Sequence, residues 1–294
     1  MSNPIHISPH LPQRVGIGLR SPHMAELARS RPAVGFLEAH AENFMSGGRQ
    51  LAGLMALRHD WPISVHAVGL SLGSAGEVDG NHLHRLARLV ALVEPCLVSE
   101  HLSWAKGAGA YLNALLPLPY DAATLTAIAV NISRVQDRLR RQVLVENPSA
   151  YLRFKGLAMD EAEFLRELVR RTGCGILCDV NNIYVSTENL GGDAFAWLDA
   201  LPTQAVRELH VAGHHEGEED GVRLLIDNHG SPVADSVWAL YAHAARRFPH
   251  AVTLLERDTN IPPLVDLVAE AALAERHRTL ALAPMGGYAH ARAA

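Results

Sequence analysis

Short apolar segments alternate with longer amphipathic segments along almost the whole chain. Eight short segments have the nearly continuous apolar composition of parallel strands that are covered on both faces. They are residues 15–19, 34–39, 63–68, 96–101, 142–146, 175–180, 207–212 and 251–256. Apolar residues recur at helical spacing between them, most clearly in residues 81–93, 121–141, 160–172 and 233–247. Asp121 is suited to begin the second of these helices and Gly173 to end the third.

Eight strands in regular alternation with helices predict a single TIM-type (β/α)8 barrel. We expect one domain over residues 1–294, with the barrel at about 13–278 and a loose C-terminal tail at 279–294. An open, doubly wound sheet is the alternative architecture. Such sheets usually carry a glycine-rich turn after the first strand, and the sequence has no GxGxxG pattern there.

The composition narrows the class of protein. Hydrophobic residues make up 48% and charged residues 19% of the chain, which favours a large core over disorder. A net charge of −5 argues against a nucleic-acid-binding surface. The three cysteines form no CxxC pair, and so odd and sparse a count is typical of a reducing compartment. Because the sequence shows neither a signal peptide nor an apolar run of membrane-spanning length, we expect a cytoplasmic protein without a membrane partner.

Polar residues collect where the predicted strands end, and the chemistry of a TIM barrel is located at those ends. Seven of the eight strands end in His, Asp or Glu, in a chain with 17 histidines. Burying so many carboxylates and imidazoles is costly unless they are paired or bind metal. Only Arg20, Lys106 and Arg257 lie near these ends. Because there are too few Lys and Arg residues to balance the carboxylates, the sequence predicts bound cations. A purely structural hydrogen-bond network is the alternative.

The residue types narrow the choice of metal. Imidazole with carboxylate and without thiolate suits zinc, iron or manganese and disfavours copper(I) or an iron–sulfur cluster. The donors are too many for one ion, and a central carboxylate can bridge two ions about 3.5–4 Å apart. Glu146, at the end of the fifth strand, is the central candidate.

Nine segments taken together resemble the multinuclear non-haem iron-dependent oxidases, also known as domain of unknown function 692. They are GIGLR, FLEAHAENF, SVHAVGLSLGS, VSEHLSW, LVENPSAY, CDVNNIYV, ELHVAGH, IDNHG and LLERD, within residues 13–278. The resemblance implies a barrel of the xylose-isomerase-like superfamily that holds two to three iron ions. It also implies an O2-dependent enzyme that modifies cysteine residues of a ribosomally synthesised precursor peptide, together with a small partner protein that binds the peptide's leader.

The order of the candidate ligands also resembles that of the tri-zinc barrel of the endonuclease IV class. The resemblance implies one ion at His66, His101 and Glu146, a second at Glu146, Asp179, His210 and Glu256, and a third at Asn182, Asp227 and His229. Asn182 stands where the tri-zinc nucleases have a histidine, and the same asparagine is typical of the iron oxidases. An amide is a weaker ligand than an imidazole, so we expect the third site to be the most labile.

Eight further residues are expected near these ligands. Six are expected to orient the ligand side chains: Glu38, His40, Glu42, Asn43, Glu100 and Asn147. The other two, His214 and Asp258, are interpreted either as acid–base residues or as solvent-facing loop residues.

Other functions are compatible with a metal-binding barrel. A hydrolase of the endonuclease IV type needs a basic groove for DNA, whereas this chain is acidic overall. A sugar isomerase of this class needs a lysine on a barrel strand, and the predicted strands contain none. A metal store is the non-catalytic alternative, although open coordination positions are unusual in storage.

Overall fold

The computed structural model describes residues 15–107, 110–156, 158–219 and 221–283. The strands within these ranges are β1 (Gly16–Gly18), β2 (Leu37–His40), β3 (Ile63–Ala67), β4 (Leu97–His101), β5 (Trp104–Gly107), β6 (Ala110–Leu116), β7 (Leu144–Glu146), β8 (Gly175–Asp179), β9 (Val206–Val211), β10 (His215–Glu219), β11 (Val222–Ile226) and β12 (Val252–Leu255). Eight of them close into a parallel barrel in the order β1-β12-β9-β8-β7-β4-β3-β2. The predicted fold class is therefore confirmed, and each predicted strand overlaps a barrel strand.

The α-helices of the described residues cover the outside of the barrel. They are α1 (Met24–Ser30), α2 (Gly48–Leu57), α3 (Gly80–Val93), α4 (Ala122–Leu139), α5 (Glu161–Thr172), α6 (Val180–Leu190), α7 (Ala194–Ala200), α8 (Asp235–Arg247) and α9 (Leu264–Leu282). The side chain of Asp121 accepts a hydrogen bond from Thr124 N at the start of α4, and Gly173 ends α5 in the left-handed region with φ 67°. Both predicted helix boundaries are confirmed.

The C-terminal boundary of the barrel differs from the prediction. Helix α9 continues to Leu282, so the residues from 279 to 282 are helical and the expected loose tail does not begin at 279. The rest of the expected tail, from residue 284, lies outside the described residues. None of the helices that are described is both long and apolar enough to cross a membrane.

Each barrel strand alternates between two environments, as the two-residue period of a strand requires. In β4, Val98 packs in the large core between barrel and helices, whereas Leu97 belongs to a separate apolar cluster. Ser99 and His101 follow Leu97 at two-residue spacing and are also buried. On β7, β8 and β12 the same spacing places an apolar leucine two residues before a buried carboxylate, whereas on β9 the buried Glu208 precedes His210.

Two antiparallel hairpins, β5–β6 and β10–β11, were not predicted from the sequence. The first follows β4 directly, so it stands at the carboxyl ends of the barrel strands. Strand β5 is held in place by Ser71, whose Oγ accepts hydrogen bonds from Ala105 N at 2.6 Å and Lys106 N at 3.2 Å. Residues of β6 consequently form a wall above the end of the barrel that carries the candidate ligands.

Candidate metal centre

The carboxyl ends of six barrel strands, with the loop after β11, bring candidate ligands together. Five groups of three described residues have donor atoms that all lie within 4.8 Å of one another. Two of them contain Glu38, with Glu208 and His210 or with His40 and Glu256. The other three overlap at predicted ligands: His66, His101 and Glu146; Glu146, Asp179 and His210; and Asp179, His229 and Glu256. All residues of these three groups are buried. A cavity of about 340 Å³ opens above them. Because neighbouring groups share a carboxylate, the arrangement is that of a multinuclear site and not of three separate ones.

Glu146 lies at the centre of this arrangement. Its Oε2 is 3.3 Å from His66 Nε2 and 3.5 Å from His101 Nε2, and its Oε1 is 4.0 Å from His210 Nδ1. The two carboxylate oxygens therefore face different imidazoles. A carboxylate whose two oxygens face different imidazoles is suited to bridge two cations.

The rings of His66 and His101 are oriented by groups on their far sides. His66 Nδ1 is 2.8 Å from Ser99 Oγ, and His101 Nδ1 is 3.6 Å from Glu100 Oε1. Both Nε2 atoms are thereby directed at Glu146. Metal-binding histidines are commonly held in this way by a hydrogen-bond partner on the other ring nitrogen.

His210 has a carboxylate near each of its two ring nitrogens. Its Nε2 is 3.4 Å from Glu38 Oε1, while its Nδ1 is 3.0 Å from Glu256 Oε2. Glu38 is itself fixed, because Ser64 Oγ donates to its Oε2 at 3.1 Å. The predicted orienting role of Glu38 therefore matches a carboxylate–histidine arrangement that leaves Nδ1 facing the centre.

His229 forms the outer part of the centre. Its Nε2 is 2.7 Å from Asp227 Oδ1 and 3.9 Å from Asp179 Oδ2, and its Nδ1 is 3.2 Å from Asp258 Oδ2. Its backbone has φ 47°, in the left-handed region that is unfavourable for residues other than glycine. Strain of this kind clusters at functional sites, where the surrounding structure holds it in place.

Asn182 lies on the first turn of α6, next to Asp179. Its backbone N–H donates to Asp179 Oδ1 at 2.7 Å. Its side-chain Nδ2 donates to Asn147 O at 3.1 Å, and its side-chain Oδ1 accepts a hydrogen bond from Ser149 Oγ at 3.0 Å. Ser149 Oγ also donates to Asp227 Oδ2 at 2.5 Å. The carboxamide is thus fixed beside Asp227 at the edge of the cavity.

Burial changes the proton affinity of the central carboxylates. It raises the pKa of Glu146 to about 8 and that of Asp179 to about 7, against the opposing effect of nearby histidines. Burial would lower the pKa of His101, but Glu146 and Glu100 outweigh it and raise that pKa to about 9. Without a cation, the centre therefore holds protons that a bound metal ion would replace.

Several buried donor atoms of the centre have no hydrogen-bond partner among the described residues. They include Glu146 Oε2 and Asp179 Oδ2, the carboxylate oxygens at the middle of the cluster. In the same ranges, Arg20 is the one Lys or Arg side chain that pairs with a carboxylate here, with Glu256 and Asp258. Since unpaired buried polar atoms are costly, the residues present fit a set of divalent cations.

The residues expected to orient ligands do not all reach them. Asn147 Oδ1 accepts from Asp179 N at 2.9 Å, so it holds the backbone of a candidate ligand, and His40 Nε2 lies 3.3 Å from Glu256 Oε1. Glu42 instead contacts His82 Nε2 at 2.8 Å and Val68 N. Asn43 is exposed on a short 3-10 turn. The structure therefore brings neither Glu42 nor Asn43 to a ligand imidazole, because the chain turns away directly after His40.

The two acid–base candidates lie in different places. Asp258 lines the cavity and contacts both His229 and Arg20. His214 is absent from the described residues that line this cavity. Its Nδ1 is 2.9 Å from Asn181 Oδ1, and its ring packs on Tyr184. Asp258 is therefore the one of the two that a molecule in the cavity can contact.

Sequence reasoning missed two features of the site. Glu208 is fully buried beneath the centre, and neither of its carboxylate oxygens has a partner among the described residues. Its position two residues before His210 on the same strand could have indicated this. Tyr111 and Asn113 of β6 also line the cavity, and they were missed because the hairpin was not predicted.

The family model described as "RiPP precursor modification enzyme MbnB/TglH/ChrH" matches residues 14–279. This chain belongs to that family. It is 49% identical over 265 residues to a UPF0276 protein of Chromobacterium violaceum, covering 90% of this chain and 95% of the relative. It is 47% identical over 272 residues to a UPF0276 protein of Caulobacter vibrioides, covering 92% and 95%. RiPPs are ribosomally synthesised, modified peptides, so membership implies a precursor peptide as substrate.

Solved structures with a similar fold are xylose-isomerase-like barrels. A D-psicose 3-epimerase from Clostridium cellulolyticum matches with a TM-score of 0.62 at 9% identity, over 92% of this chain and 100% of that chain. A xylose isomerase-like TIM barrel protein from Mycobacterium smegmatis, solved in complex with magnesium, matches with a TM-score of 0.60 at 11% identity, over 95% and 100%. Endonuclease IV from Thermus thermophilus matches with a TM-score of 0.58 at 17% identity, over 91% and 99%. At these identities the likeness supports the fold alone.

Proposed function

We propose that this protein is a multinuclear iron-dependent oxidase that uses O2 to modify cysteine residues of a ribosomally synthesised precursor peptide. The observation that carries the proposal is the set of three overlapping ligand groups in a barrel of the RiPP precursor modification family. Two to three iron ions would be held by His66, His101, Glu146, Asp179, Asn182, His210, Asp227, His229 and Glu256. When bound, iron supplies a redox couple and open coordination positions for a thiolate and O2.

The protein's own residues shape and orient this centre. Ser99 holds His66 at hydrogen-bond distance, and Glu38 and Glu100 lie 3.4 and 3.6 Å from ring nitrogens of His210 and His101, so that the donor atoms would face one another before any ion arrives. Preorganisation of this kind keeps the geometry of the site constant during a reaction. Asp258 has a pKa below its usual range: the histidine and arginine beside it outweigh burial and the neighbouring Glu256 charge. It is therefore an ionised acceptor at the cavity wall, suited to bind an N–H of a substrate peptide.

The size of the cavity limits what it can recognise. At about 340 Å³ it holds a few residues and not an entire precursor. Recognition of the remaining peptide must occur elsewhere. We therefore include in the proposal a small partner protein, encoded near the enzyme, that binds the leader part of the precursor.

The hydrolase and isomerase alternatives are less well supported by the cavity. The described residues that line it include four acidic side chains, Glu146, Asp227, Glu256 and Asp258, and no Lys or Arg. A phosphodiester would therefore find no Lys or Arg side chain in this lining to bind it beside the metal ions. Transfer of hydride in a sugar would have no lysine to assist it.

The test is a reconstitution that varies metal, O2 and partner independently. The chain is purified without O2 and loaded with Fe(II) or with Zn(II). It is then mixed with the co-encoded partner and a neighbouring short precursor peptide that contains cysteine. We expect a mass change confined to cysteine that needs both iron and air, with little conversion when the partner is omitted. Full conversion with zinc, or without O2, would contradict the oxidase proposal, and equal conversion by the chain alone would remove the partner.

A further inference from the structure

A second cavity, of about 560 Å³, lies beside the candidate metal centre. One wall is the segment between β7 and α5, and the other is a face of α6 that includes Ser186 and Thr187. Tyr120, Glu161 and Trp197 form part of the same lining. The volume is within the range of about 300–1,000 Å³ that is usual for binding pockets.

Both walls of the second cavity lead directly to the metal centre. On the first wall, Ser149 donates to Asp227 in the centre, and the next residue, Ala150, lines the second cavity and donates its N–H to Ser186 Oγ at 2.8 Å. On the second wall, Asn182 lines the cavity of the centre, and Ser186 lies one helical turn further along α6. One turn advances about 6 Å along a helix. The two cavities are therefore neighbours, with Ser149 and Ala150 between Asp227 of the first and Ser186 of the second.

The rise of about 6 Å from Asn182 to Ser186 is comparable with the length of two residues of an extended peptide. Such a chain advances about 3.3 Å per residue. If one residue of a bound peptide faces the metal centre, the side chain that reaches the second cavity belongs to a residue about two positions away.

The lining of the second cavity favours an aromatic occupant. Leu152 and Phe154 line it and are 48% and 40% exposed, so their apolar surface is open to a ligand, beside the charged side chains of Arg153 and Asp160. Glu161 is held inside the cavity, where its Oε1 accepts a hydrogen bond from the Tyr120 hydroxyl at 2.6 Å. Apolar walls with a few fixed polar groups suit a flat, bulky side chain that gains from burial and from ring contacts.

We infer that the second cavity binds an aromatic side chain of the precursor peptide, about two residues from the position that is modified. The inference rests on the proposed function for the identity of the reacting cysteine, whereas the peptide substrate follows from family membership. The cavity then acts as a specificity pocket that places the cysteine over the metal centre.

The test compares two synthetic peptides that differ only in the flanking side chains. One is acetyl-Phe-Gly-Cys-Gly-Phe-amide and the other is acetyl-Ala-Gly-Cys-Gly-Ala-amide, so that either chain direction presents the ring at the right spacing. Binding to the metal-loaded full-length chain is measured by calorimetry without O2. We expect the phenylalanine peptide to bind at least about tenfold more tightly, as the burial of one aromatic side chain predicts.

Two matched pairs of variants test whether the preference for the phenylalanine peptide arises in the second cavity. Thr187→Trp fills the second cavity from α6, whereas Glu188→Trp adds the same ring on the exposed side of that helix. Phe154→Ser removes a half-exposed wall residue, and Phe195→Ser removes a half-exposed phenylalanine of α7 that does not line the cavity. We expect the preference for the phenylalanine peptide to disappear or to fall several-fold in Thr187→Trp and Phe154→Ser. The preference should remain in Glu188→Trp and Phe195→Ser. Metal content should be unchanged in all four.

Three results would overturn the inference: equal binding of the two peptides, no binding of either at millimolar concentration, or an undiminished preference in both Thr187→Trp and Phe154→Ser. Loss of the co-encoded partner's binding in Thr187→Trp, with both peptides bound equally, would assign the cavity to the partner instead. Because binding is measured without turnover, a failed oxidase reaction with an intact aromatic preference would contradict the proposed function and leave this inference standing.

Discussion

The two halves of the barrel interior are built from the same strands but differ in chemistry. The lower half is a closed apolar cluster of Phe36, Cys96, Leu97, Leu144, Leu177, Val252 and Leu254. The upper half begins two residues later on three of these strands, at Glu146, Asp179 and Glu256. One alternation of side chains thus produces a packed core below and a cluster of unpaired donor atoms above. The lower half stabilises the fold, whereas the unpaired polar atoms of the upper half are costly to bury.

The largest expected effect concerns the carboxylate shared within the upper half. Glu146→Gln keeps the size of the side chain but removes the charge that two cations would share. We expect the loss of more than one metal ion per chain, measured by elemental analysis, together with loss of turnover. Glu26→Gln, on the exposed surface of α1, is the control. Wild-type metal content and turnover in Glu146→Gln would show that Glu146 is not a bridge.

A substitution in the lower half should lower the free energy of unfolding and leave metal binding unchanged. Phe36 is fully buried beneath the centre, two residues before Glu38. Phe36→Ala leaves a cavity, which costs about 3–5 kcal/mol of unfolding free energy. We expect that loss in urea denaturation of the chelated protein, with unchanged metal content per folded chain. If the variant loses metal ions at wild-type stability, the two halves are not separable in this way.

A smaller effect is expected from pH in the upper half. The pKa values of Asp179, Glu146 and His101 are raised to about 7, 8 and 9. The metal-free folded chain therefore holds more protons than the unfolded chain, so its stability falls as pH rises through this window. Metal binding displaces those protons and becomes tighter over the same range. We expect the metal-induced rise in thermal midpoint to be larger at pH 9 than at pH 6, and an equal rise at both would contradict these protonation states.

The fold and the candidate ligands could be predicted because they follow local periodicity. Nearly continuous apolar runs indicated the strands, and residues such as His66 and Glu146 stand at their carboxyl ends. The second hairpin was missed although Asp220-Gly221 is a common hairpin turn dipeptide.

Contacts that depend on the path of a loop could not be predicted in this way. The turn after His40 carries Glu42 and Asn43 away from the centre, and the segment after β7 brings Ser149 to Asp227. Both depend on tertiary packing and not on sequence spacing. For the same reason the second cavity, whose walls come from separate segments, has no signal in the sequence.

The most direct test of the central claim is the metal content of the untreated protein. The chain is purified without O2 from cells grown with both iron and zinc, and its metals are measured by elemental analysis, with Mössbauer spectroscopy to establish coupling between iron ions. We predict two to three iron ions per chain, at least two of them magnetically coupled through the shared carboxylate. Tightly bound zinc without iron, in a protein that is fully active, would contradict the account.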